Sequence, residues 1–364
     1  MYGPSFHPSD SKKETEMIYA PVLLPTLCRN DLLIRCIDSL CRNNWADRTD
    51  LIIALDHPKK ESHLEGHEKI RRYLEENTFP AFRSVRVIQR KKNYGAIGNF
   101  RDLVDVGLSG HDRCICVFDD LTFSPNFIQY MDEMLELFDS DKDVQGVLGY
   151  SYPVEWEVAE GCNAMLQNFS GSIWGIGFWK EKFLEMSRYI EGGGLARDFG
   201  DAYRRGAFNS MTDWAVTDYV KSVCYGYAPS SFVNQITDIA LRIYLAVRGK
   251  TCVMPTLSKV RNGGFDGSGA FCERIEQHND SEICSQNYAF NKQPVDESLT
   301  FAPVVDPGAD IPANRALLNR FDRVEPVALQ AALDRAAVYA SMNVLQRKAL
   351  NVKKFASRVA RKLR

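Results

Sequence analysis

Apolar residues along the chain fall into short continuous runs that alternate with stretches of helical spacing. Ile18–Leu24 reads as a first strand, stopped by Pro25-Thr26. Leu32, Leu33, Cys36, Ile37 and Leu40 then recur every three or four residues and predict a helix over about residues 30–43. Leu51–Leu55 is a second strand, ending at Asp56-His57-Pro58. It is followed by a helix over about 61–76 with His67, Ile70, Tyr73 and Leu74 inward. Val85–Gln89 is a third strand, and Lys91-Lys92-Asn93-Tyr94-Gly95 leads into a helix over about 96–108. The run Cys114–Phe118 reads as a fully buried fourth strand that ends at two adjacent acids, Asp119 and Asp120. Ser124 and Pro125 then supply an N-cap and a first-turn proline for a helix carrying Phe127, Ile128, Met131 and Met134 on one side. Repeated strand–helix alternation of this kind predicts an α/β fold, a mostly parallel sheet with helices on both faces.

The second half is less regular and rich in Gly and aromatic residues, notably at 171–179, 192–194 and 261–269. Such stretches form loops and short strands around a site, or pack hydrophobically beneath long loops. Residues 291–325 read as an irregular wrap or linker, residues 326–364 as one or two helices, and the polar residues 1–17 as disordered.

Composition changes the picture in three places. A chain of 364 residues, 45% hydrophobic and 25% charged, suits one large domain or two smaller ones, and its net charge of −2 gives no reason to expect nucleic acid. Residues 347–364, however, hold eight Lys/Arg and no acid, which leaves −10 for residues 1–346. Leu345, Ala349, Val352, Ala356, Val359 and Leu363 make one stripe on that segment. A basic amphipathic helix of this kind lies on anionic membrane surfaces, and the same stripe would also dock on the core or on a second copy of the chain as a homodimer. Ten cysteines without a CxxC pair suit buried free thiols in a reducing compartment. The N-terminus lacks the apolar core of a signal peptide and no run approaches transmembrane length, so the expectation is a cytoplasmic protein, at most peripheral on the inner face of the plasma membrane.

Open α/β sheets bind ligands beyond the carboxyl ends of their strands, and four features collect there. Pro25-Thr26 with Arg29 follows strand one, where a guanidinium can match phosphate oxygens. Asp56 ends strand two, where a carboxylate can accept from a pyrimidine N–H or a ribose. Asn93 and Gly95, with Asn99 and Arg101, follow strand three. The Asp119/Asp120 pair ends strand four, and a hard cation such as Mg²⁺ or Mn²⁺ would relieve its repulsion while drawing further ligands from substrate phosphates. Each feature also has a plain reading: a strand stop, a turn residue, a surface cation, an acidic helix start. Their succession at four strand ends points to a nucleotide-sugar site.

The order LLPTLCRNDLLIRCIDSL, LIIALDHP, KKNYGAIGNFRDL and CVFDDLTFSPNFIQYM resembles the GT-A-fold glycosyltransferases, nearest to bacterial family-2-like enzymes and more distantly to β-1,2-N-acetylglucosaminyltransferases. The resemblance runs over about residues 18–272. It implies a Rossmann-like nucleotide-sugar-binding half over 18–150 and an acceptor half over 151–290. It implies that Asp120 meets the metal, Asp119 faces the donor and Asp56 binds the base, typically uracil. Phe118 stands where the family carries a Glu. Gly171–Lys180, with Trp174 and Gly175, is similar to the family's Trp-Gly-Trp-x-x-Trp stretch that shapes the acceptor and donor-sugar pocket. Residues 237–242 resemble a helix-opening Asp-x-x-x-Arg pattern. Residues 258–272 resemble a late Asp-Gly-Ser-Gly motif in which Phe271 replaces the usual His.

The resemblance implies a metal-dependent, inverting transfer of a sugar from a nucleotide-diphosphate donor, UDP-linked, to a glycan or glycolipid hydroxyl in polysaccharide or glycoconjugate assembly. An inverting reaction needs a general base near the acceptor, for which Asp238 is the first candidate and Asp213 the competitor. Either could instead be a helix cap. Two other classes stay open: a sugar nucleotidyltransferase, whose Gly-rich opening motif this chain lacks, and a catalytically inactive nucleotide-sugar-binding module.

Overall fold

The computed structural model describes residues 17–169, 172–208, 236–266, 268, 293–321 and a few isolated positions after them. Asp213, Phe271 and most of the basic tail lie outside the described residues. In chain order the elements are β1 (Val22–Thr26), α1 (Asn30–Cys41), β2 (Asp50–Leu55), α2 (Glu61–Glu76), β3 (Ser84–Gln89), α3 (Gly95–Gly110), β4 (Arg113–Cys116), β5 (Leu121–Phe123) and α4 (Phe127–Leu137). There follow β6 (Val144–Leu148), β7 (Ala164–Gln167), β8 (Ile176–Trp179), α5 (Lys180–Glu191), α6 (Gly194–Arg204), α7 (Asp238–Arg248), β9 (Thr251–Pro255), β10 (Val260–Asn262), β11 (Val305–Asp306) and α8 (Ile311–Phe321).

The chain divides into two compact units. The first takes the described residues up to Gln167, Ser172–Phe183 and those from Thr251 to Asp310; the second takes Asn168 and Phe169, the described residues from Leu184 to Lys250, and those from Ile311 onward. The first unit holds a nine-stranded sheet in the order β11-β7-β9-β6-β8-β4-β1-β2-β3. β1, β2, β3, β4, β6 and β9 run one way; β8, β7 and β11 run against them. This is the mostly parallel α/β sheet expected from the sequence.

Alternation along the central strands assigns the two faces, because successive side chains of a strand point to opposite sides. Val22 and Leu24 of β1, Leu51, Ile53 and Leu55 of β2, and Ile115 share one core with Leu33, Cys36, Ile37 and Leu40 of α1, Ile70 and Leu74 of α2, and Phe127, Ile128 and Met131 of α4. Leu23 points the other way, onto α3. A Cβ on Gly107 of that helix would lie 2.8 Å from both Leu23 methyls, so a glycine there lets helix and strand approach. The seven described cysteines are free thiols, as expected, with Cys114 and Cys116 buried 3.9 Å apart.

Several local expectations are corrected. The first strand begins at Val22 and takes in Pro25-Thr26. A short strand, β5, intervenes between the acid pair and α4, paired antiparallel with β10. Ser124 does not cap α4: the N-cap residue is Asn126, and the helix-start amide of Ile128 donates to Oδ1 of Asn43 at 2.9 Å. The cap therefore comes from the loop after α1. The linker expected at 291–325 contains β11 and α8. Its first part is tied down by Lys259, whose buried ammonium pairs with Asp296, donates to Oδ1 of Asn126 (3.1 Å) and lies 4.4 Å over the Phe301 ring. The second half also contains α5 and α6, which the irregular pattern did not reveal. In the second unit the rings of Tyr189 and Tyr244 meet at 5.5 Å and those of Phe199 and Phe208 at 4.6 Å. Among the described residues no helix is long and apolar enough to cross a membrane.

Candidate active site

β1 and β4 are adjacent and parallel, so the residues that follow them meet at one end of the sheet. Thr26 donates from Oγ1 to Oδ2 of Asp119 at 2.8 Å. Arg29 spans the acid pair: Nη1 donates to Oδ2 of Asp120 at 2.9 Å and Nη2 to Oδ1 of Asp119. The Asp119 side chain is 6% exposed and that of Asp120 12%, so Asp120 is the more open acid. Burial pushes the Asp119 carboxyl up; Arg29 opposes this, and Asp120 adds to it. Burial works against the Arg29 charge as well, but the two carboxylates override it and hold the guanidinium firmly protonated. The loop bearing Arg29 is braced by α2, since a Cβ on Gly66 would sit 2.0 Å from the Cys28 carbonyl oxygen. Phe118, at the family's Glu position, stacks on Phe100 with centroids 5.5 Å apart.

Asp56 ends β2 in the same row, but its oxygens are already engaged. Oδ1 accepts from the amides of His57 (2.9 Å) and Tyr94 (2.8 Å); Oδ2 accepts from the Gly95 amide (2.9 Å) and Nδ2 of Asn93 (3.1 Å). An ionised carboxylate has about four acceptor sites, and four donors of the chain meet this one. Asp56 thus caps α3 across the sheet, and its charge lies where the helix N-terminus would otherwise attract an anion. Asn93 also donates to the His57 carbonyl at 2.7 Å. Asn99 donates to the Ala54 carbonyl (2.9 Å) and accepts from Arg90 (3.0 Å). Arg101 is not brought to the acid pair: its guanidinium lies 5.2 Å over the Phe183 ring and reaches Asp105 at 3.3 Å. Asp56, Asn93, Gly95, Asn99 and Arg101 are thus all held by protein-internal bonds at the strand ends.

A third side is formed by the chain from β10. Gly263 donates its amide to the Asp120 carbonyl at 2.8 Å. A Cβ on Gly264 would lie 2.3 Å from Oδ2 of Asp120, so only glycine lets the backbone lie against that carboxylate. Phe265 follows and meets Trp174 edge-on at 5.8 Å, and Trp174 meets Tyr150 at 4.7 Å. Gly175 has φ +67, and Val260 and Phe127 leave no room for a Cβ there. Trp174 is thus joined, through Phe265, to the segment whose Gly264 lies against Asp120, while Gly175 packs on Val260 and Phe127. Tyr150, just past β6, was missed; its only sequence signal is the aromatic pair Tyr150 and Tyr152 at a strand end. The bridging of both acids by Arg29 carried no local signal.

Asp238 opens α7 in the second unit, behind Thr237, whose Oγ1 accepts from the Ala240 amide at 3.2 Å. Its carboxyl is half-buried, and burial raises its pKa against its own amide and Arg242 one turn on.

The acid pair suits a hard divalent cation: it offers carboxylate oxygens at a strand end, and it already holds a positive charge in Arg29. Among the described residues no group of three or more Asp, Glu, His or Cys could hold a metal, so the protein alone would leave much of the cation's shell to phosphate and water.

No protein-family model and no curated protein sequence matches the chain. Among the solved structures similar to it are glycosyltransferases. The mannosyltransferase PcManGT from Pyrobaculum calidifontis, in complex with GDP-Man and Mn²⁺, is 12% identical over 96% of this chain and 84% of its own, with a TM-score of 0.37. S. aureus TarS is 11% identical over 76% of this chain, with a TM-score of 0.34, and the match spans only 44% of TarS. Mouse xyloside xylosyltransferase 1 is 14% identical over 41% of this chain and 53% of its own, with a TM-score of 0.22.

Proposed function

We propose that this chain is a GT-A-type glycosyltransferase that uses a nucleotide-diphosphate sugar, UDP-linked, with Mn²⁺ or Mg²⁺, and transfers the sugar with inversion to a glycan or glycolipid hydroxyl. The observation that carries the reading is the convergence of Thr26, Arg29, Asp119 and Asp120 at the ends of β1 and β4, beside the Gly263-Gly264 backbone and the Trp174–Phe265–Tyr150 wall. Asp120 and the donor's diphosphate would hold the metal. A divalent cation there supplies charge stabilisation to the departing nucleoside diphosphate. Arg29 binds phosphate oxygens through its planar fork. Asp119 keeps the Thr26 hydroxyl and Arg29 in place. The aromatic wall offers a face to the sugar ring and keeps water from the reacting carbon. Asp238 takes the acceptor proton, and its raised carboxyl pKa makes it a better proton acceptor than an ordinary Asp. Asp213 is the alternative base. The basic segment 345–364 would hold the protein against an anionic membrane that carries lipid-linked acceptors.

The test is a titration of UDP- and GDP-sugars with and without Mn²⁺, on the wild type and on Asp120→Ala. The wild type should bind a UDP-sugar only with metal and slowly release UDP. Asp120→Ala should keep its melting temperature and lose the metal-dependent binding. Binding by Asp120→Ala with unchanged metal dependence would remove Asp120 from the metal site. Donor binding without any UDP release would favour the inactive binding module.

A further inference from the structure

The carboxylates that would receive the metal already share one positive charge from within the chain. Arg29 donates to Oδ2 of Asp120 at 2.9 Å and, through its other terminal nitrogen, to Asp119, while Thr26 takes the second oxygen of Asp119. Gly263 and Gly264 close the remaining side of Asp120. A cation reaching Asp120 in this state would meet a guanidinium on the same carboxylate oxygen. Like charges at such distance in a partly desolvated site repel strongly. The guanidinium cannot simply withdraw, because a buried charge that loses its partner costs more than the pair contributes. It needs another anion, and a diphosphate supplies one of matching geometry.

We infer that Arg29 is a resident counterion that shuts the acid pair to metal until a nucleoside diphosphate draws it away, so that nucleotide and metal bind cooperatively. This rests on the nucleotide-sugar reading above and adds an order to it. Linkage then requires that metal raise nucleotide affinity by the factor by which nucleotide raises metal affinity.

The probe is Mn²⁺ alone, its free-ion signal followed by electron paramagnetic resonance, with the full chain as wild type, Arg29→Gln and Arg29→Lys. The wild type should take up Mn²⁺ weakly, and Arg29→Gln at least about tenfold more tightly, since an uncharged amide cannot neutralise two carboxylates. Arg29→Lys keeps the charge and should keep the block, which separates a counterion from a packing role. If Arg29→Gln unfolds on a melting curve, a Lys variant that binds Mn²⁺ no more tightly than the wild type still supports the proposal, and one that binds it tenfold tighter overturns it. Equal uptake by the wild type and a folded Arg29→Gln overturns the inference and leaves the glycosyltransferase reading standing. Absence of Mn²⁺ uptake in all three chains even with UDP or GDP added overturns the metal reading, and the inference with it.

Discussion

At the scale of single residues, charge burial makes the sharpest predictions. Asp132 of α4 is fully buried; Oδ1 accepts from the Ala20 amide at 2.9 Å, and Oδ2 has no hydrogen-bond partner among the described residues. Burial raises its pKa to about 7 against the Ala20 amide and Arg113. The folded pKa therefore lies above the unfolded one of about 3.9, and the unfolded state sheds the proton first as pH rises. Stability should fall between about pH 4 and 7, by at most about 4 kcal/mol, and level off above that. Asp132→Asn keeps the Ala20 acceptor without a charge, so its stability should lack this slope and exceed the wild type's above pH 7. Parallel denaturant midpoints for the two chains across pH 4–8 would refute the buried proton. Asp238 predicts the opposite sign for activity. A base must be unprotonated, so kcat should drop as pH falls through its raised pKa, and Asp238→Asn should lose about 10²–10⁴-fold in kcat with donor affinity kept. Near-normal turnover in that variant with a dead Asp213→Asn would move the base.

At the scale of elements, two glycines fix how neighbouring segments meet the site, and they predict different failures. A Cβ on Gly66 of α2 strikes Cys28 backbone at 2.0 Å, so Gly66→Ala must push the helix from the loop that carries Arg29. Overpacking against backbone costs about 1–3 kcal/mol, and both melting temperature and nucleotide affinity should fall. A Cβ on Gly264 strikes the Asp120 side chain, at 2.3 Å from Oδ2 and 3.0 Å from its Cβ, and no backbone. Gly264→Ala should therefore weaken metal-dependent binding and lower the melting temperature less than Gly66→Ala does; an equal shift would mean that the β10 segment is part of the core scaffold. Helix capping follows the same tertiary logic. The starts of α3 and α4 take their acceptors from Asp56 and Asn43, both distant in sequence, where the nearest local candidate for α4 was Ser124.

For the whole molecule, the charge separation between the tail and the rest predicts that deleting residues 345–364 spares donor hydrolysis, reduces binding to anionic vesicles, and abolishes its salt sensitivity. Attachment by the tail should itself weaken with added salt, since the screening length is about 8 Å at physiological ionic strength. Vesicle binding that survives the deletion, or a change in oligomeric state, would assign the stripe to protein contact. The sequence alone determined the α/β class, the first four strands with their helices, and the placing of Asp56 and Asp119/Asp120 at strand ends. Those features follow from apolar periodicity, which is local and repeats every two or every 3.6 residues. Only the tertiary structure decided which polar groups face the site and which face each other. Asp56, Asn93 and Gly95 look independent of one another in the sequence, yet parallel pairing of β2 with β3 brings them within hydrogen-bonding reach. The pairing of β1 with β4, likewise, sets Arg29 across two carboxylates some ninety positions away. Hydrogen-bond partners separated by so many residues leave no periodic trace in the chain, and that is why the strand ends could be read from it and their occupants could not.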